Sequence, residues 1–228
     1  MQLKNKHILI LILLVAVSLR VYNLFNIPFT HDEFSALFRL YFDNVYDVIM
    51  YGARIDGHPA GIHVFLYYWT SWFGTEEWVV KLPFILFGIA SVWLIYKISC
   101  FWKNETVGLV IASFLAVSQF TVMYSQIARP YISGLFFSLI MVFFWSKLML
   151  KPERKFNLNI SGFILGASLC TYNHHFSMLF AVILGVVGVF YINKKYLILE
   201  FLIILKMKLK SIIVFQMLGG NLLRVVMI

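Results

Sequence analysis

Two adjacent carboxylates, Asp32 and Glu33, stand in the segment FTHDEFSAL, directly after the first long apolar run of the chain. An acid held beside a substrate hydroxyl can take its proton as a general base. An acid in the first turn of a helix has a plainer role, satisfying backbone donors and offsetting the helix dipole. Thr30 and Glu33 have the capping-box interval, at which hydroxyl and carboxylate satisfy opposite backbone donors. One acid completes that box, so capping explains Glu33 well and Asp32 less well, and both roles stay open for the pair. Lys81, in KLPF, lies about one turn inside an apolar run; it either snorkels to the headgroups or contacts a lipid phosphate. The segment TYNHH at 171–175 interrupts another apolar run. Polar groups at membrane depth are functional candidates, although a tight hairpin between two helices needs them as well.

The elements that position these residues follow from composition. The chain has 228 residues, of which 61% are hydrophobic and 13% charged, with a mean hydropathy of +0.86. Soluble domains carry about 25% charged residues, so the expected fold class is an all-α polytopic membrane protein. Charge-poor stretches recur at 8–25, 78–96, 106–124, 131–150 and 160–192. The last would run roughly 50 Å as one helix, against a hydrocarbon core of about 30 Å. It is therefore split into two helices meeting at 171–175, and a stretch from 196 opens a further one. The expectation is about six to seven transmembrane helices.

Charge placement sets the topology. Lys4, Lys6, Lys97, Lys103, Lys147, Lys151, Arg154, Lys155, Lys194 and Lys195 fall in the N-terminus or alternate loops. Asp32, Glu33, Asp43, Asp47, Asp56, Glu76 and Glu77 share the other side with Arg39, Arg54, Lys81 and Arg129, and with Arg20 near the outer end of the first span. The N-terminus is expected in the cytoplasm and the 28–81 loop outside. The net charge of +9 thus marks inner loops and argues against nucleic acid. AVS at 16–18 resembles a signal cleavage site, but the apolar LRVYNLF that follows favours an uncleaved anchor. Cys100 and Cys170 are expected near opposite membrane faces, where no disulfide joins them.

The outer loop is patterned. Phe34, Leu37, Phe38, Tyr41, Phe42, Val45, Val48 and Ile49 predict one amphipathic helix at the interface, ended by Gly52. DGHP predicts a turn, with Pro59 at the first position of a second, aromatic helix, AGIHVFLYYWTSWF. His31, His58, His63, His174 and His175 share the acidic side. A metal site is the less favoured alternative: His58 and His63 lie five apart, off a common helical face, and no HExxH-type element exists.

In order and approximate spacing, DE opening a helix, HP before an aromatic helix, KLP, ARPY and TYNHH resemble the GT-C glycosyltransferases that use polyprenyl-phosphate sugars. The closest group looks like the bacterial relatives of protein mannosyltransferases and of the lipid A aminoarabinose transferase. HPAG stands where that pattern has HPP, and KLPF where it has RLPS. The resemblance covers roughly residues 8–192. It implies a catalytic region over 1–195, with the outer loop at 28–81. The remaining 196–228 reads as a possible seventh helix followed by an atypical, truncated or frameshifted end.

The resemblance also implies the chemistry. An acceptor hydroxyl attacks the anomeric carbon with inversion, and the lipid phosphate leaves. Asp32 is then the general base, with Glu33 second; Lys81, Arg129 and His58 hold the donor phosphate; Tyr131, His174 and His175 are polar lining. No cofactor is implied, the lipid-linked sugar being a substrate and a divalent metal the weaker option. The acceptor is a glycan, lipid or protein, and the home a bacterial inner membrane. The alternatives are a small transporter or channel subunit, or an inactive fragment of such a transferase. The acids on an outer loop and the absence of an internal repeat count against a transporter.

Overall fold

The computed structural model describes residues 3–57, 59–150 and 155–191. Contacts divide the chain into Met1–Leu184 and Gly185–Ile228; the contacts described below lie within the first unit. The expected boundary at 195 and the helix opening at 196 lie outside the described residues, as does His58. Among the described residues every regular element is helical.

The long helices are α1 (Leu3–Val21), α6 (Glu77–Trp102) and α9 (Pro130–Leu150). Among the described residues, three helices are long and apolar enough to cross a membrane, or four if a bent pair counts as one span. That is fewer than the six to seven expected. The 106–124 run is not one helix but α7 (Glu105–Val117) and α8 (Gln119–Ser125), bent by 58° at Ser118. The 160–192 run does split as expected, into α10 (Phe156–Asn173) and α11 (His175–Tyr191). Asn157, Asn159, Thr171 and Asn173 make α10 too polar to count as a full span, and α11 has 17 residues.

Core contacts tie the helices together. Leu9, Ile12 and Ala16 of α1 pack with Val92 and Tyr96 of α6 and with Leu109, Ala112 and Ala116 of α7. At the other end of α6, Val80 and Phe84 pack with Ala128, Ile132 and α5 (Gly61–Phe73) through Ile62 and Leu66. Fully burying each valine, leucine, isoleucine or phenylalanine among these contributes about 1.5–3 kcal/mol where water is the alternative; within lipid, close packing between helices replaces that term.

The loop departs from the predicted single helix. α2 (His31–Phe38) stops early, and a second helical stretch runs through α3 (Val45–Asp47), a π-helical Val48–Ala53 and α4 (Arg54–Asp56). The cause is local: Asn44 is extended and its side chain accepts from Asp47 N, so it starts a new helix. Gly52 does not end the helix. A Cβ there would lie 2.5 Å from the Arg39 carbonyl, so the glycine permits the return stretch to close on α2, and Gly57, at φ 69°, is the terminator. Pro59 lies before the N-cap of α5, Ala60, rather than at the first helical position.

α6 carries Pro83 inside the helix. Proline has no N–H, so the carbonyl four residues back loses its helical donor. Here that carbonyl is Val79 O, and the Trp69 indole N–H of α5 donates to it at 2.9 Å. The proline of KLPF and the aromatic helix are thus bound together by one bond.

Candidate active site

α2 begins with the predicted capping box. Glu33 N donates to Thr30 Oγ1 at 3.4 Å, and Thr30 N donates to Glu33 Oε2 at 2.8 Å. The Glu33 side chain is wholly buried, whereas Asp32 is exposed at the same helix end. Glu33 also has a distant partner: its Oε1 accepts from Ala128 N at 2.8 Å. With Ala128 N on Oε1 and both Thr30 N and Thr30 Oγ1 on Oε2, the carboxylate is fixed in orientation.

Lys81 is buried beside it. Its Nζ donates to Ile27 O and Pro28 O, both at 2.9 Å, and lies 3.9 Å from Glu33 Oε2. The ring of Phe29 is 5.5 Å away. The ammonium's donors therefore hold the Ile27 and Pro28 carbonyls and face Glu33. The opposite charge of Glu33 offsets part of the cost of burying the cation.

Ala128 places the next motif. Arg129, almost wholly buried, follows it and precedes Pro130, the first residue of α9 as the ARPY segment predicts. The Pro130 carbonyl accepts from Asn173 Nδ2 at 2.8 Å, and Ser133 Oγ donates to Asn173 Oδ1 at 2.7 Å. Asn173 closes α10 within the TYNHH turn. From there two contacts return to the loop. A Cβ on Gly61 would stand 2.3 Å from Tyr172 O, so α5 presses directly on the end of α10. His175 Nε2 lies 2.8 Å from Gly57 O, beside the DGHP turn, which selects the tautomer protonated at Nε2.

The segments around DE, KLP, ARPY, TYNHH and DGHP thus form one connected patch. The structure brings Asp32, Glu33, Lys81 and Arg129 into one part of it and His174 and His175 into another. Tyr131 sits between, its ring 4.6 Å from Tyr124 and 6.5 Å from His174. Among the described residues no group of three His, Cys, Asp or Glu side chains stands close enough to hold a metal ion. Cys100 and Cys170 are both free thiols. Beside the acid pair lies a cavity of about 220 Å³ lined by Phe29, Phe34, Leu37, Phe38, Leu40, Tyr41, Thr70 and Thr75. A second, of about 120 Å³, lies among α5, α6, α9 and α10.

Sequence reasoning missed three contributors. Ala128 acts through its backbone N–H and Asn173 through an amide inside an apolar helix. Gln126, whose Nε2 donates to Arg20 O and Tyr22 O, ties the approach to ARPY onto α1. Asn173 had a readable signal, as part of the one polar interruption of its run; the other two had none.

No curated protein and no solved structure matches the chain. A family model described as dolichyl-phosphate-mannose-protein mannosyltransferase matches residues 57–218, from the DGHP turn through KLP, ARPY and TYNHH. Asp32 and Glu33 precede the matched stretch, and the Glu33–Ala128 bond attaches them to it. The chain belongs to the dolichyl-phosphate-mannose-protein mannosyltransferase family and is an integral membrane glycosyltransferase of the GT-C type.

Proposed function

We propose that the protein moves a sugar, with inversion, from a polyprenyl-phosphate donor to an acceptor hydroxyl, and that Asp32 is the general base. The observation that carries this reading is the Glu33–Ala128 hydrogen bond. It draws the exposed acid of the first loop and the arginine of ARPY to one patch, although they are distant in sequence.

The roles follow from exposure and charge. Asp32 faces outward at the start of α2, where an acceptor hydroxyl can reach it. As the hydroxyl attacks the anomeric carbon, Asp32 takes its proton and the bond from that carbon to the phosphate oxygen breaks. Negative charge then grows on the lipid phosphate, and a fixed cation there lowers the barrier. Arg129 is the phosphate ligand in this reading, since a guanidinium binds phosphate through two parallel bonds. His58, next to Gly57, is a second candidate on the sequence resemblance. Lys81 acts through Glu33 and the Ile27 and Pro28 carbonyls, as its bonds favour, and is a positioning residue. The site lies on the outer face of a bacterial inner membrane, with the N-terminus in the cytoplasm.

Membrane vesicles carrying the chain, supplied with radiolabelled polyprenyl-phosphate mannose, test the reading. Transfer of label that disappears in Asp32→Asn at unchanged protein level is the expected result. Full transfer by that variant removes Asp32 from the role.

A further inference from the structure

Arg20 belongs to no motif, yet its side chain is wholly buried in the bundle. It lies against the break between α7 and α8. A broken helix leaves its last carbonyls without helical donors, and irregular backbone at membrane depth persists only where protein covers it. Arg20 covers this one. Nη1 donates to Ala116 O at 3.0 Å and to Ala16 O at 3.2 Å; Nη2 donates to Leu115 O at 3.3 Å and to Thr121 Oγ1 at 3.2 Å. Nε donates to Ser125 Oγ at 3.2 Å, at the far end of α8. A cation there also meets the negative end of the α7 dipole. Gly88 of α6 makes the room, since a Cβ would fall 2.1 Å from Ser125 Oγ and 2.8 Å from Arg20 Nε.

The main chain of the same region completes the hold. Gln126 Nε2 donates to Arg20 O at 3.1 Å and to Tyr22 O at 3.0 Å. α8 is therefore fastened to the α1 segment at Thr121, at Ser125 and at Gln126, the residue that caps it. Two residues beyond Gln126, Ala128 N reaches Glu33, and Arg129 comes next.

We infer that Arg20 and Gln126 are positioning residues for the donor phosphate, together setting where α8 delivers Arg129 relative to Asp32 and Glu33. The inference rests on Arg129 as the phosphate ligand. A lysine in place of Arg20 could not serve it, because one ammonium cannot span acceptors spread over both helices.

Undecaprenyl phosphate, titrated onto the full chain in nanodiscs, tests both layers without needing the acceptor. Arg129→Gln is expected to weaken binding by about tenfold or more, as loss of a charged hydrogen bond does. Gln126→Ala is expected to weaken it about tenfold or somewhat less. The double variant should bind no worse than Arg129→Gln alone. Asn5→Ala is the control: it breaks the 2.6 Å bond to Glu105 that joins α1 and α7 at the opposite end, and should lower the thermal midpoint without changing phosphate affinity. Wild-type affinity in Gln126→Ala, full additivity with Arg129→Gln, or equal weakening by Asn5→Ala overturns the inference and leaves Arg129 in place. Unchanged binding in Arg129→Gln overturns the phosphate assignment, and the inference with it.

Discussion

Glu33 and Ala128 are 95 positions apart in the chain and joined by a 2.8 Å hydrogen bond from a backbone N–H to a buried carboxylate. The bond makes the two neighbouring acids unlike each other. Glu33 is built into the junction between the first loop and the start of α9, and Asp32 is left facing outward on the same turn.

The two acids should therefore fail differently. Asp32→Asn is expected to cut transfer by about 100- to 10,000-fold, the worth of a general base, at an unchanged thermal midpoint. Glu33→Gln is expected to destabilise by about 1–3 kcal/mol, because an amide oxygen replaces a charged acceptor among buried donors. Thermal unfolding in detergent alongside vesicle assays reads both effects. The reverse pattern would exchange their roles.

Lys81 holds two carbonyls and faces Glu33 from a buried position. Removing one partner of a buried pair costs about 3–5 kcal/mol. Lys81→Met should thus lower the yield and midpoint of the folded protein more than Glu33→Gln does. Lys81→Met with a normal midpoint but a raised Michaelis constant for donor would return Lys81 to the phosphate.

Trp69 supplies the donor that Pro83 withdraws from Val79 O. Trp69→Phe keeps an aromatic ring but leaves that carbonyl without the indole N–H, at about 1–3 kcal/mol. A lowered thermal midpoint with wild-type donor affinity is expected. A change in affinity alone would give Trp69 a place against the sugar.

The orientation is tested by labelling. With Cys100→Ser and Cys170→Ser in the background, Asp32→Cys should react with a membrane-impermeant maleimide added outside intact cells. Reaction confined to inverted vesicles would place the acid pair in the cytoplasm.

Much of the architecture was legible because the relevant forces act over short stretches. Apolar runs of spanning length marked α1, α6 and α9, and the polar TYNHH marked the turn between α10 and α11. Capping-box spacing placed the start of α2, and Pro130 the start of α9. Where short-range signals competed, the reading failed. Hydrophobic spacing joined residues 34–49 into one helix, but the Asn44 cap and the close approach of Gly52 to Arg39 divided it. The bend at Ser118 shows in its run only as the polar pair Ser118 and Gln119, and the group that sustains it, Arg20, comes from another helix.

By itself, then, the order of residues determined a helical membrane protein, its turn at TYNHH, and the motifs that carry chemistry, since periodicity, capping and proline act between near neighbours. Which of two adjacent acids is buried, where Lys81 turns its ammonium, and how Arg129 reaches the first loop were decided by tertiary structure. Those outcomes depend on backbone donors and carbonyls, such as Ala128 N and Ile27 O, that nearly every residue type shares and that only the folded chain brings within bonding distance.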